Sequence, residues 1–344
     1  MTGTMTAAAH RPTRRTLLGA AAVLPLVALI SHRGSAAQFR LKFATGQDPT
    51  HPINIRAAEA LKRIRDATGG QLQIRLFPAD QLGSDTDLLS QVRSGGVEFL
   101  NLSTSILATL VPVAGIVNTG FAFSGYDAVW KAMDGALGQH IRAEIDKAGI
   151  VSVAKLYDNG FREITTSTKP IYTPADLSGL KLRVPPAPML TSLFKALGAG
   201  PAPINFNEVY SALQTKVVEG QENPLAIIAT TRLYEVQKYC SMTGHVWDGY
   251  CFLANRRAWA ALPADVQAIV MREFDRSALD ERADIARLSD TLRTDLTGKG
   301  LVFNDVNRDL FRTALMHTSF YADWRAKYGP TAWSLLEQTT GKLV

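Results

Sequence analysis

The sequence predicts an α/β protein of two lobes, and three observations carry that prediction. Apolar residues switch repeatedly between a period of two and helical spacing, the switching occurs in two separate series, and a stretch without Gly or Pro between Pro263 and Gly298 is long enough to reach beyond one lobe. The first series opens with Phe39, Leu41 and Phe43, alternating as in a strand. Ile53, Ala57, Ala60, Leu61 and Ile64 then recur at helical spacing until Gly69-Gly70 stops them. Leu72, Ile74 and Leu76 form a second strand. Leu88, Leu89 and Val92 form a short helix closed by Gly95-Gly96, and residues 97–100 return to strand. This β-α-β-α-β order predicts a largely parallel sheet.

A second series starts at Val151, Val153 and Leu156, continues through Leu180, Leu182 and Val184, and enters a helix marked by Leu190, Leu193, Phe194 and Leu197. Residues 208–219 read as a further helix ending at Gly220-Gln221-Glu222-Asn223-Pro224. In the stretch 263–298 the helical face is Val266, Ile269, Val270, Ile285, Leu288, Leu292 and Leu296. A continuous helix there would be about 50 Å long at 1.5 Å per residue. It either breaks near Ser277 or runs along both lobes as a strut.

The 344 residues carry 37 Lys and Arg against 31 Asp and Glu, with 46% apolar side chains, which fits a globular chain and excludes a disordered one. Arg11, Arg14, Arg15 and Arg33 precede Gln38 with no acidic residue among them, so the basic excess belongs mainly to the leader. A nucleic-acid partner is therefore not expected. The leader reads as an export signal over residues 1–37, with an arginine-bearing start, an apolar run from Leu17 to Ile30 and the small residues Ser35-Ala36-Ala37. Thr13-Arg14-Arg15-Thr16-Leu17-Leu18 also fits a twin-arginine signal, with general secretion as the other route. The apolar run, interrupted by Pro25, falls short of the roughly 20 residues of a spanning helix. The mature protein is expected in the periplasm. Cys240 and Cys251 are the only cysteines; two buried thiols are the simpler expectation, although an exported location permits a disulfide.

No G-x-S-x-G, H-E-x-x-H or P-loop is present, and Gly198-Ala199-Gly200-Pro201 fails as a dinucleotide fingerprint, so an enzyme is not expected. No cofactor and no metal site are implied. Polar residues instead collect at element ends between Gly160 and Pro224. Arg162, Arg183 and Asn223 stand where ligands bind in open α/β sheets, and an arginine fork matches a carboxylate with two parallel hydrogen bonds. Taken singly and on spacing alone, each arginine reads rather as a surface ion pair.

The segments Gly179-Leu-Lys-Leu-Arg-Val-Pro185, Glu208-Val-Tyr-Ser-Ala-Leu-Gln214 and Val218-Glu-Gly-Gln-Glu-Asn-Pro224 resemble the solute-binding subunits of tripartite ATP-independent periplasmic (TRAP) transporters, in the dicarboxylate and sialic-acid branch. The resemblance extends over nearly the whole mature chain, from Thr50-His51-Pro52 to Thr243-Gly244-His245. It implies a two-lobed periplasmic-binding-protein-like fold, with a central cleft, a long helix contacting both lobes and closure over a small organic acid. The limits then expected are 38–159 plus about 249–288 for lobe I, and 160–248 plus about 289–344 for lobe II.

By the same resemblance Arg183 clamps the ligand carboxylate, Arg162 and Asn223 lie beside it, Phe206 packs a ring against the ligand and Glu222 is a polar pocket position. For Phe206 a packing role in its loop, and for Glu222 a solvated helix end, are the alternatives. Gln47, Asn101, Ser103, His245 and Trp247, with Thr45, Asp48 and His51, are candidates for the rest of the pocket. Ser103 and Gly46 stand where sialic-acid binders carry an acidic residue and an asparagine, which points to another acid: a C4-dicarboxylate, a sugar acid or a small oxo or hydroxy acid. The implied partners are the small and large integral membrane subunits of a TRAP transporter. A binding subunit of an ATP-driven importer, a sensor partner and a periplasmic enzyme acting on an anionic substrate are the rival readings.

Overall fold

The computed structural model describes residues 2–4 and 37–343, Ala154 excepted. The expected export signal thus lies, apart from residues 2–4 and Ala37, outside the described residues. The body from Ser35 onward holds two six-stranded sheets. The first contains β1 (Phe39–Thr45), β2 (Leu72–Phe77), β3 (Phe99–Ser103), β4 (Ile150–Ser152) and β5 (Tyr157–Phe161). The second contains β6 (Glu163–Thr166), β7 (Lys181–Val184), β8 (Gly200–Pro203), β9 (Gly220–Asn223) and β10 (Tyr239–Met242). The chain then returns to the first sheet as β11 (Trp247–Asn255) and ends the second with β12 (Val302–Asp305).

The first sheet runs β2-β1-β3-β11-β4, with β5 also on β11; the second runs β12-β10-β6-β9-β7-β8. The β1, β2 and β3 pairings are parallel, as the alternating pattern predicts, but β11 is antiparallel to β3, β4 and β5. In the second sheet β6 is antiparallel to β9 and β10. The reason is topological: β6 and β11 are the strands that arrive from the other sheet, so they enter from the opposite end.

The two crossings are themselves paired. Phe161 faces Trp247 in β5–β11, Ile164 faces Ser241 in β6–β10, and between them the Arg162 N–H donates to the Val246 carbonyl at 2.9 Å. A two-stranded ribbon therefore connects the lobes.

The sequence from Ala264 to Gly298 is one helix of 35 residues, unbroken at Ser277, which is fully buried. Its first half packs on the helix Pro52–Ala67 and on β5, its second on the helix Leu225–Thr230 and β12. Where it crosses the first sheet Phe274 stacks on Phe252, and Phe43 meets both rings edge-on. The C-terminal helix Phe320–Thr340, turned at Gly329, packs on the helices Tyr126–Met133 and Ala136–Lys147 and also touches Pro188–Ala196, where Trp324 Nε1 donates to Ser192 at 3.0 Å. Buried Trp324, Trp333 and Leu336 provide the apolar side that holds it there.

The helix expected over 208–219 is also shorter. It spans Val209–Gln214 and stops because Lys216 turns left-handed (φ 59°) and β-branched Val218 dips into the core. Gly220–Asn223 is then a central strand rather than a helix end. A Cβ at Gly220 would lie 2.5 Å from the Thr165 carbonyl oxygen, so only glycine permits that pairing. Cys240 and Cys251 are free buried thiols on different sheets. No helix among the described residues is long and apolar enough to cross a membrane.

Candidate functional site

Where the lobes meet, one small cavity collects Gln47, Asp85, Ser103, Ser105, Arg162, Arg183, Phe206, Asn223 and Tyr250, with Ile106, Pro185 and Ile227 as apolar wall. The strand-end argument accounts for the arginines: Arg162 follows β5, and Arg183 sits near the end of β7. The space among these residues is about 20 Å³, little more than one water site, so an organic acid enters only if the walls separate. Across the mouth Thr86 and Asn205 touch through their side chains at 3.2 Å, joining the first-lobe helix Asp85–Ser94 to the second lobe.

The two arginines are occupied very differently. Arg162 donates to both Glu222 carboxylate oxygens at 2.5 and 2.8 Å, to the Glu222 carbonyl at 2.7 Å, to Asn223 Oδ1 at 3.1 Å and to Asp248 at 3.4 Å. Arg183 donates only through Nε, to the Ile204 carbonyl at 2.9 Å; its two terminal nitrogens have no hydrogen-bond partner among the described residues. Burial, with Arg162 nearby, lowers the Arg183 pKa to about 10, which leaves it charged at neutral pH. The Phe206 ring lies 5.9 Å from its guanidinium carbon.

Glu222 and His245 stand behind this surface rather than in it. Burial would raise the Glu222 carboxyl, but Arg162 and the hydrogen bond with His245 Nε2 at 3.0 Å overcome it and hold the pKa near 2. Burial lowers the His245 pKa despite that contact, and its other nitrogen meets Thr243. Trp247 is likewise in the core, its Nε1 donating to Asp158 at 2.8 Å. Asn101 is buried outside the cavity lining, with neither amide atom hydrogen-bonded. Thr45 bonds Asn54, and His51 caps the helix Pro52–Ala67. Of the ten residues anticipated for the pocket, Gln47, Ser103, Arg162, Arg183, Phe206 and Asn223 line it.

Three residues outside those expectations shape the site. Asp248 gathers Ser103 at 2.6 Å, Thr104 at 2.8 Å, Asn159 at 2.9 Å and Asn118 at 3.1 Å, tying the first lobe to Arg162. Tyr250 accepts from Gln47 Nε2 at 2.5 Å. Asp85, the first residue of its helix, is buried; desolvation raises its pKa to about 6 against the pull of Arg183. A Cβ at Gly46 would lie 2.8 Å from an Asp85 carboxylate oxygen and 3.0 Å from one of Asp80, so an asparagine there would have to push both carboxylates aside. In sequence, Asp85 is legible only as part of the Ser84–Asp87 helix start, and Tyr250 only as a strand apolar.

This arrangement, a cleft between two α/β lobes with one arginine fork left unpaired, is that of a solute-binding protein. The chain belongs to the bacterial extracellular solute-binding protein family 7 (DctP), whose model matches residues 43–321. It is 30% identical over 84% of its length to the 2,3-diketo-L-gulonate-binding periplasmic protein of Escherichia coli K12, covering 88% of that protein. An uncharacterized protein of Sinorhizobium fredii is 32% identical over 88% of this chain, which spans 56% of that relative's length. Among solved structures, the sugar acid binding protein of Advenella mimigardefordensis in complex with galactonate superposes with a TM-score of 0.85 at 26% identity, covering 90% of this chain and all of that one. A TRAP periplasmic solute binding protein of Sulfurospirillum deleyianum with bound succinate gives 0.83 at 26% identity, over 89% and 99%. The family is one of binding proteins, not enzymes, and several of its named members are periplasmic.

Proposed function

We infer that the protein is exported through residues 1–37 and serves as the periplasmic subunit of a TRAP transporter, taking an organic acid by its carboxylate and delivering it to the small and large membrane subunits. The observation that carries this reading is the Arg183 fork, unpaired beside an Arg162 whose charge is met by Glu222. A ligand carboxylate completes the Arg183 pair with two parallel hydrogen bonds, and Asn223, Ser105 and Phe206 surround it. Gln47, Tyr250 and Asp85 from the first lobe meet the remainder of the molecule. The two lobes we propose comprise 38–159 with 247–288 and the C-terminal helix, and 160–246 with 289–316.

A thermal-shift screen of organic acids tests the reading, because a ligand at 100 times its Kd adds about 2.7 kcal/mol to stability. Acids that raise the melting temperature should lose the effect as methyl esters, which leave Arg183 buried without an anion. Equal binding of acid and ester in calorimetry would refute the carboxylate assignment.

A further inference from the structure

The ribbon between the lobes has a second face. Side chains alternate along it, so Arg162 points to the cleft while Phe161 and Glu163 point the other way. There they line a cavity of about 170 Å³ with Tyr126, Asn159, Gly160, Pro224, Leu225, Ala226 and Met242. Ile285, Ser289 and Leu292 of the long helix border its mouth. The walls therefore come from both lobes and from the strut.

The chemistry of those walls is selective. Most of the lining is apolar, and the volume matches that of apolar protein cavities that hold a benzene ring, about 150 Å³. One polar group is unsatisfied: Asn159 is buried and its Oδ1 has no partner, whereas its Nδ2 is fixed on Asp248 at 2.9 Å, an acceptor that dictates the amide's orientation. The wall carboxyl Glu163 accepts from the Gly244 N–H at 2.7 Å, and burial pushes its pKa up to about 8, so no fixed charge attracts a cation at neutral pH.

We propose that this cavity is a second binding site, for a small neutral molecule with an apolar body and one hydrogen-bond donor, and that its occupancy strengthens acid binding in the cleft. The direction follows from leverage. The cavity and the cleft lie on opposite faces of one ribbon, so the back widens as the front closes, and an occupant at the back holds the front together. Asn159 adds a direct path, since Asp248 contacts both Arg162 and Ser103. The coupling rests on the acid-binding function proposed above, whereas the existence of the site does not.

Benzyl alcohol is a suitable probe, with Ser289→Trp to fill the cavity from an exposed helix position. Saturable binding by saturation-transfer NMR, abolished in the variant, is expected. Calorimetry with succinate, D-galacturonate and D-erythronate should show affinity for the acid that binds rising about fivefold with benzyl alcohol present. Ser289→Trp should not respond to the probe. Non-saturable binding, or binding that survives Ser289→Trp, overturns the site, and an unchanged acid affinity with the probe bound overturns the coupling. Binding of benzyl alcohol at the cavity with none of the acids bound would instead defeat the acid-binding reading and leave the site standing.

Discussion

Arg162 and Arg183 stand in the same cavity and are almost equally buried, at 3% and 1% exposure, yet their surroundings assign them opposite roles. Arg162 is enclosed by Glu222, Asn223 and Asp248 and serves the ribbon that joins the lobes. Arg183 is anchored by a single backbone carbonyl and keeps its fork for something else. Burial alone therefore does not separate the two arginines; the number of donors left without a partner does.

The contrast is sharpest in mutants. Arg162→Met should cost about 3 to 5 kcal/mol of stability, because it strands Glu222 as a buried charge, and denaturant unfolding reads that directly. Arg183→Lys should leave the unfolding midpoint nearly unchanged and lose about 2 to 5 kcal/mol of acid affinity by calorimetry. If Arg183→Lys instead unfolds the protein while Arg162→Met leaves it stable, the division of labour is reversed.

Proton titration separates the carboxylates around the two arginines in the same way. Glu222 has a folded pKa near 2, below its ordinary 4.5, so its contribution is complete above pH 4.5 and is lost as the pH falls toward 2. Asp85, raised to about 6 from 3.8, has the opposite sign: its contribution is complete below pH 3.8 and is lost as the pH rises through 6. Asp85→Asn should accordingly gain about 2 kcal/mol on the wild type between pH 4 and 7 in thermal melts. A constant difference across that range would contradict the assignment. The smallest effect is expected at the mouth, where Thr86→Ala removes the partly buried contacts of its hydroxyl with Asn205 and Ser84 and should weaken acid binding by about 1 kcal/mol or less.

Much of this frame was legible in the sequence. The alternation around Phe39–Leu100 marks strands and helices of the first lobe, and the uninterrupted apolar face from Val266 to Leu296 is the strut. Arg183 stands out in the sequence because a strand end and a resemblance coincide there, and its place in the cavity wall agrees with that position. The pairing of Arg162 with Glu222 was not, since a carboxylate 60 residues away meets it only through the β6–β9 register. Trp247 and His245 read as pocket candidates through the resemblance, but the ribbon turns both inward. Asp85 and Asp248 escaped notice for the converse reason: each belongs to a regular element, and only tertiary packing brings it to the cleft.

The position of β11 in the first sheet also governs the order in which the molecule is assembled. Because Trp247–Asn255 lies between β3 and β4, the amino-terminal lobe lacks a middle strand until three quarters of the chain has been made. Such distant pairing slows folding. A fragment ending at Val246 should leave residues 39–103 sensitive to protease, whereas one extended through Asn255 should begin to protect them. Until Asn255 is in place, β3 and β4 lack the neighbour they share, and their facing edges stay unpaired.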